Sequence, residues 1–257
     1  MSLALVAHRR RRGLPARLYL VGVIAVAVSA GLTALGIWQL QRRAWKLDLI
    51  AGIEQRVAAS PVALPGPGDW PSVTAARDAY RHVRAEGVLL QGRDTLVQAV
   101  TVLGGGYWLM TPLRTDRGFT VLVNRGFVPP GYKPSRRGED RTAVRVEITG
   151  LLRITEPHGG FLRANDPASG RWYSRDVAAI SQARGLDDVA PYFIDADRAP
   201  AGGVPVAGLT VVDLPNNHLV YALTWFVLAG MTVFAAAKLV RSELLGGSGP
   251  ETAADRS

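Results

Sequence analysis

Four histidines are the residues best suited to acid–base or metal chemistry in this chain of 257 residues, which has no cysteine. Without thiolates, disulfides, iron–sulfur clusters, thiolate zinc sites and covalent c-type haem attachment are excluded. Three methionines, Met1, Met110 and Met231, argue against a soft copper site. His8 lies in an arginine-rich arm, and His158 sits in a loop between Pro157 and Gly159-Gly160. His82 alternates with Tyr80 and Arg84 on an expected strand and reads as a surface or edge residue. His218 differs, because it follows Asn216-Asn217 and opens a long apolar run. An ionisable group at a membrane helix is a functional candidate by default, and a neutral imidazole there suits axial ligation of a haem iron. Tyr221 and Trp225 fall on the same helical face and could flank a porphyrin. An interfacial histidine bonded to backbone or lipid headgroups fits the same residues.

Other chemistry is scarce. There is no nucleophile elbow, zinc-protease pair, phosphate loop or dinucleotide fingerprint. Gly104-Gly105-Gly106 reads as a turn between strands, and the aspartates are too scattered to name an acid–base pair. The expectation is a protein that is not an enzyme.

The elements that position these residues begin with two apolar runs. Residues 18–41 contain no charge, and residues 218–237 are apolar and closed by Lys238 and Arg241. About 20 helical residues cross a hydrocarbon core of about 30 Å, so both runs read as spans. Val28-Ser29-Ala30 resembles a signal-peptidase site, but the apolar run continues past it, which favours an uncleaved anchor. The net charge is +9, and residues 1–17 carry five arginines and no acid. The basic run at 9–12 could bind nucleic acid, but directly before a span it reads as a topology signal, and no nucleic-acid partner is expected. The positive flanks place both termini in the cytoplasm and the middle outside; Arg42 and Arg43 oppose that bias and could pair with acids or lipid phosphates. Gly22, Ala25, Ser29, Thr33 and Gly36 form a small-residue face on the first span, and Tyr221, Trp225, Ala229, Thr232 and Ala236 a face on the second. Small residues allow close helix approach, to each other or to a partner membrane protein.

Between the spans, the helical pattern continues outward until Ser60-Pro61 stops it. Strand patterns follow at 80–90, 95–103, 107–114, 119–124, 144–154, 171–174, 192–196 and 209–212, with a turn at Asp116-Arg117-Gly118. One short helix fits 177–185, capped by Asp176 and stopped by Gly185. The fold class is therefore an α+β membrane protein, with N- and C-terminal transmembrane helices flanking a β-rich extracytoplasmic domain. Its expected divisions are a basic cytoplasmic arm at 1–17, a span at 18–41, the extracytoplasmic domain at 42–217, a second span at 218–237 and a cytoplasmic tail at 238–257. Residues 246–257 have the composition of a disordered tail.

Three segments carry a family resemblance. The first is Leu35-Gly36-Ile37-Trp38-Gln39-Leu40-Gln41-Arg42-Arg43-Ala44-Trp45-Lys46. The second is Gly106-Tyr107-Trp108-Leu109-Met110-Thr111-Pro112-Leu113, followed by Val121-Leu122-Val123-Asn124-Arg125-Gly126-Phe127-Val128-Pro129. The third is Asn216-Asn217-His218-Leu219-Val220-Tyr221-Ala222-Leu223-Thr224-Trp225-Phe226. Together they resemble the surfeit locus protein 1 family of cytochrome c oxidase assembly factors, in its bacterial form. Phe127 stands where the family often has tryptophan.

That resemblance implies a role in maturing the catalytic subunit of haem–copper oxidase by handing over haem a. It marks His218 as the ligand of the haem iron, with Trp225 as a secondary contact. It implies cytochrome c oxidase subunit I as a partner, haem a synthase as a second candidate partner, and a place in the cell's inner membrane among its lipids. Trp38, Gln39, Arg42, Asn216 and Asn217 are expected to serve structure or partner contact. Arg125 and Gly126 are expected to belong to the fold, as a buried salt bridge and a tight turn, in preference to direct binding of haem propionates. The alternative is a haem-free membrane scaffold that stabilises an oxidase assembly intermediate.

Overall fold

A computed structural model describes residues 16–134, 145–157, 159–160, 163–198, 203–209 and 215–246. His8, the basic run at 9–12, His158, most of the expected strand at 209–212 and the tail from 247 lie outside the described residues. The chain divides into a helical unit and a β-rich unit, Ile50–Asp213.

Two helices are long and apolar enough to cross a bilayer: α1 (Ala16–Ala58) and α4 (His218–Gly246). α1 runs unbroken because no glycine pair or proline interrupts it before Pro61. The two helices are antiparallel. Gly36 meets Phe226, the Ser29 hydroxyl donates to the Ala229 carbonyl at 3.3 Å, and Arg17 pairs with Glu243 at the far end. The packed stripe of α1 holds Leu18 and the small-residue face read from the sequence, Gly22, Ala25, Ser29, Thr33 and Gly36. On α4 the deepest residues are Ala222 and Ala229.

The β-rich unit contains α2 (Ala75–Asp78), α3 (Val177–Arg184) and seven strands: β1 (Val62–Ala63), β2 (His82–Leu89), β3 (Thr95–Thr101), β4 (Gly104–Thr115), β5 (Thr120–Val128), β6 (Arg145–Ile154) and β7 (Val189–Ala196). Their order is β1-β2-β6-β7-β5-β4-β3, and β2 also pairs with β4 where Gly87, Val88 and Leu89 face Thr115, Arg114 and Leu113. That extra pairing closes β2, β6, β7, β5 and β4 into a five-stranded barrel, with β1 and β3 added at its rim. All contacts in the barrel are antiparallel except β5 beside β7.

Alternation along each strand sends one set of side chains inward. Val83, Ala85, Leu113, Val121, Val123, Leu152, Tyr192 and Ile194 form the barrel core. Each fully buried aliphatic or aromatic side chain there stabilises the fold by roughly 1.5–3 kcal/mol. The opposite faces of β4, β5 and β7 carry Met110, Leu122 and Phe193, which pack with Trp172, Val177 and Ile180 into a second core under α3. One barrel end is plugged: Leu64 and Trp70 pack there, Trp70 meets Phe119 edge-on at 5.8 Å, and the Tyr192 hydroxyl donates to the Pro65 carbonyl at 2.6 Å. Burial pushes the Tyr192 phenol far above its ordinary pKa.

Local signals survive intact. The Asp176 carboxylate accepts from the Ala179 N–H at 3.1 Å, and Gly185 ends α3. Two expectations change. Residues 171–174 form no strand; Trp172 makes a single bridge to Val97 and otherwise fills the second core. Gly104-Gly105-Gly106 starts β4, and the turn itself is Val102-Leu103.

Candidate functional site

His218 is the first residue of α4, and the Asn217 carbonyl accepts from the N–H groups of Val220 at 3.1 Å and Tyr221 at 3.3 Å. Asparagine suits this N-cap position, which fixes where the helix and its histidine begin. The antiparallel pairing brings Gln39 of α1 beside this end. His218 Nδ1 lies 2.8 Å from Gln39 Oε1, and both residues are half-buried. An amide oxygen only accepts, so Nδ1 carries the proton, and in the neutral ring Nε2 then keeps its lone pair. Nε2 has no hydrogen bond among the described residues. A histidine whose tautomer and ring plane are held through one nitrogen, with the other open, is the arrangement found at metal-ligating imidazoles.

Asn216, next to this pair, buries both side-chain polar atoms without a partner among the described residues. Unpaired buried amide atoms cost about 1–3 kcal/mol each, so such a group calls for a ligand or a function. Trp225 is half-buried two turns along α4, whereas Tyr221 is 56% exposed. On α1, Trp38 is 53% exposed, and the Arg42 guanidinium stacks on the Trp45 ring at 4.1 Å. Trp38, Arg42 and Trp45 thus share an outward face, while Gln39 turns toward α4.

Arg125 and Gly126 sit in a second constellation, in the barrel. Asn124 pairs with Met110 and Phe127 with Trp108, so Leu109 faces both Arg125 and Gly126, a β-bulge. Gly126 has φ of +126°, and a Cβ there would lie 2.3 Å from the Val206 carbonyl oxygen. Phe127 and Val206 exchange backbone hydrogen bonds of 2.9 and 2.8 Å, which pins that approach. The Asn124 side chain holds the bulge: its oxygen accepts from the Gly126 N–H at 3.1 Å, and its nitrogen donates to Asp195 at 2.8 Å. Asp195 also accepts from Arg153 at 2.7 Å and Arg175 at 3.2 Å, and Glu156 takes a second branch of Arg175. Burial pulls the Arg175 pKa down, but Asp195 and Glu156 outweigh it and hold the guanidinium above its ordinary value. Gly126 lies in a bulge inside β5 rather than in a tight turn, and the buried ion pairs there belong to Arg153, Arg175 and Asp195. Arg125 itself makes no hydrogen bond or ion pair among the described residues.

The SURF1 family model matches residues 26–230, a stretch that contains both constellations. The chain belongs to the SURF1 family. It is 36% identical over 219 residues to surfeit locus protein 1 of Mus musculus, covering 78% of this chain and 69% of that protein. It is 36% identical over 220 residues to surfeit locus protein 1 of Homo sapiens, covering 78% and 71%. A SURF1-like protein of Drosophila melanogaster is 31% identical over 235 residues, covering 83% and 75%.

Within this SURF1-family chain, sequence reading separated two residues that the fold joins: His218 as candidate ligand and Gln39 as a structural position. They are far apart in the chain, and only the antiparallel packing brings them together. It also passed over Asp195, although a carboxylate inside the apolar run Pro191-Tyr192-Phe193-Ile194-Asp195-Ala196 is itself a signal. His82, expected at a surface or edge, is half-buried at the start of β2: Nδ1 faces the Ala59 carbonyl at 2.8 Å and Nε2 faces Asp197 at 2.8 Å.

Proposed function

We propose that this SURF1-family protein is a membrane assembly factor for cytochrome c oxidase that binds haem a through His218 and passes it to the catalytic subunit. The observation that carries the reading is the His218–Gln39 pair, which fixes one imidazole nitrogen and leaves Nε2 open. The orphaned Asn216 amide and the aromatic side chains of Trp38, Tyr221 and Trp225 are the further groups a large planar ligand would need around it. Haem a is apolar cargo, and a single imidazole from the carrier leaves its other axial position exchangeable, which suits release. The protein performs no bond chemistry of its own in this reading.

Both long helices span the inner membrane, with the termini cytoplasmic and the β-rich domain outside. Arg17, Lys238 and Arg241 flank the cytoplasmic ends. Oxidase subunit I receives the haem and haem a synthase supplies it; lipid covers the remaining helix faces. Purification in mild detergent from cells making haem a tests the proposal. The wild type is expected to carry haem a and His218→Ala to lose it. A mutant with undiminished haem overturns the ligand assignment.

The scaffold reading draws on a different feature. Val100 and Val102, each 85% exposed, project at the β3–β4 hairpin beside exposed Leu103. Exposed apolar clusters of this kind mark partner contacts. Colourless wild-type protein that co-purifies with subunit I would favour that reading.

A further inference from the structure

The barrel is plugged at one end, and at the other the described residues leave a mouth. The open mouth is a cavity of about 470 Å³ lined by Val123, Val146, Ile148 and Ala196, with Arg125 and Arg198 among its walls. Val123 and Ala196 belong to the barrel core, and Val146 and Ile148 pack against it, so the floor is a continuation of that core. Arg125 alternates with Val121 and Val123 along β5, which sends it to the same inward face. A guanidinium on the inner face of a barrel needs a reason, because burial without a partner is costly.

Arg125 and Arg198 make no hydrogen bond or ion pair among the described residues. Glu147 also borders the cavity, but it lies 3.7 Å from Arg84 and is already paired there. Asp94 acts on Arg125 through space, while its own carboxylate is bonded by Thr111. Among the described residues the mouth therefore keeps an excess of positive charge over an apolar floor. Its arginine is not left to chance: the bulge at Arg125-Gly126 is locked through Asn124 to Asp195 and through Phe127 to Val206. Bulges that re-aim a side chain recur beside binding sites, and the mouths of β-barrels are common ligand sites.

We propose that the mouth of the barrel is a binding site for a small anionic amphiphile, with Arg125 and Arg198 holding its carboxylate or phosphate and the apolar floor taking its hydrocarbon. Arginine is suited to either head, since its planar fork bonds both in bidentate fashion. The site shares no residue with the His218–Gln39 pair, and its test does not depend on haem binding.

Isothermal titration of the full chain in non-ionic detergent tests this with four probes: hexyl phosphate, hexanoate, hexan-1-ol and inorganic phosphate. At least one anionic amphiphile is expected to bind one to one, about tenfold or more tighter than hexanol and inorganic phosphate. Preference for hexyl phosphate points to a phospholipid-like head, and preference for hexanoate to a carboxylate. Arg125→Gln and Arg198→Gln are each expected to weaken that binding about tenfold. Arg198 is exposed, so its variant keeps the fold even if Arg125→Gln does not. Equal binding of hexanol, no binding of either anion, or unchanged affinity in a folded Arg198→Gln protein would overturn the proposal. Haem content plays no part in the readout, so failure here leaves the haem reading untouched.

Discussion

His218 Nδ1 and Gln39 Oε1 stand 2.8 Å apart, one at the first residue of α4 and the other on the facing stripe of α1. The bond sets the imidazole tautomer, so Gln39 acts on the proposed ligand without touching its iron. Loss of such an outer partner costs about 10–100-fold in metal affinity. Gln39→Leu is accordingly expected to lower haem a affinity by about that range in titrations of the purified protein. Gln39→Glu restores an acceptor and is expected to retain the haem while lowering its reduction potential, because a carboxylate makes the ring a stronger donor. Equal affinity in Gln39→Leu and wild type would remove Gln39 from the site.

Gly36 keeps the two helices close at the same end. A Cβ at this position would lie 2.5 Å from the Phe226 ring. The chain has no cysteine, so Ser29→Cys with Ala229→Cys introduces the only possible disulfide. That pair is expected to cross-link readily with Gly36 in place. Gly36→Leu should reduce the yield several-fold, and adding Phe226→Ala should recover it. Efficient cross-linking in Gly36→Leu alone would contradict the packing.

The Asp195 carboxylate is only 2% exposed and faces Arg153 and Arg175 together. Removing one partner of a buried ionic cluster costs about 3–5 kcal/mol, even though Glu156 stays beside both arginines. Asp195→Asn is expected to lower the melting temperature of the β-rich domain by roughly 10 °C. Because Asn124 and the Arg125 bulge hang on Asp195, the same variant should weaken anion binding at the barrel mouth.

Asp94 gives the domain a pH dependence. Burial raises its pKa above 3.8, outweighing the hydrogen bond from Thr111 and the fields of Arg125 and Arg184. The folded protein therefore holds this proton to higher pH than the unfolded chain, and stability falls as pH rises from 3.8 through the raised folded value. Asp94→Asn keeps an acceptor for Thr111 and cannot ionise. Melting curves across that window should show Asp94→Asn gaining on the wild type as pH rises; parallel curves would contradict the assignment.

How much of this could be read in advance differs by element. The helices were legible because a charge-free run such as 18–41 is longer than a signal peptide's apolar stretch, and the small-residue stripe from Gly22 to Gly36 already pointed to the packed face. The α3 cap was legible because Asp176 and Gly185 act on their own neighbours. Barrel closure was not, because β2 meets β4 by a pairing between strands distant in order. The strand expected at 119–124 stopped at Asn124, where the bulge interrupts the alternation; β5 resumes to Val128. The aromatic residues at 172 and 173 imitate a strand, but Trp172 serves as a core side chain. Gln39 and His218 became a site only through tertiary packing, which no local pattern encodes.

The most direct test of His218 as haem ligand is chemical rescue read by magnetic circular dichroism. His218→Gly protein, purified from cells making haem a, is expected to lack the histidine-ligated signature of the wild type and to regain it when imidazole is added. A wild-type signature in His218→Gly before imidazole is added would contradict the account.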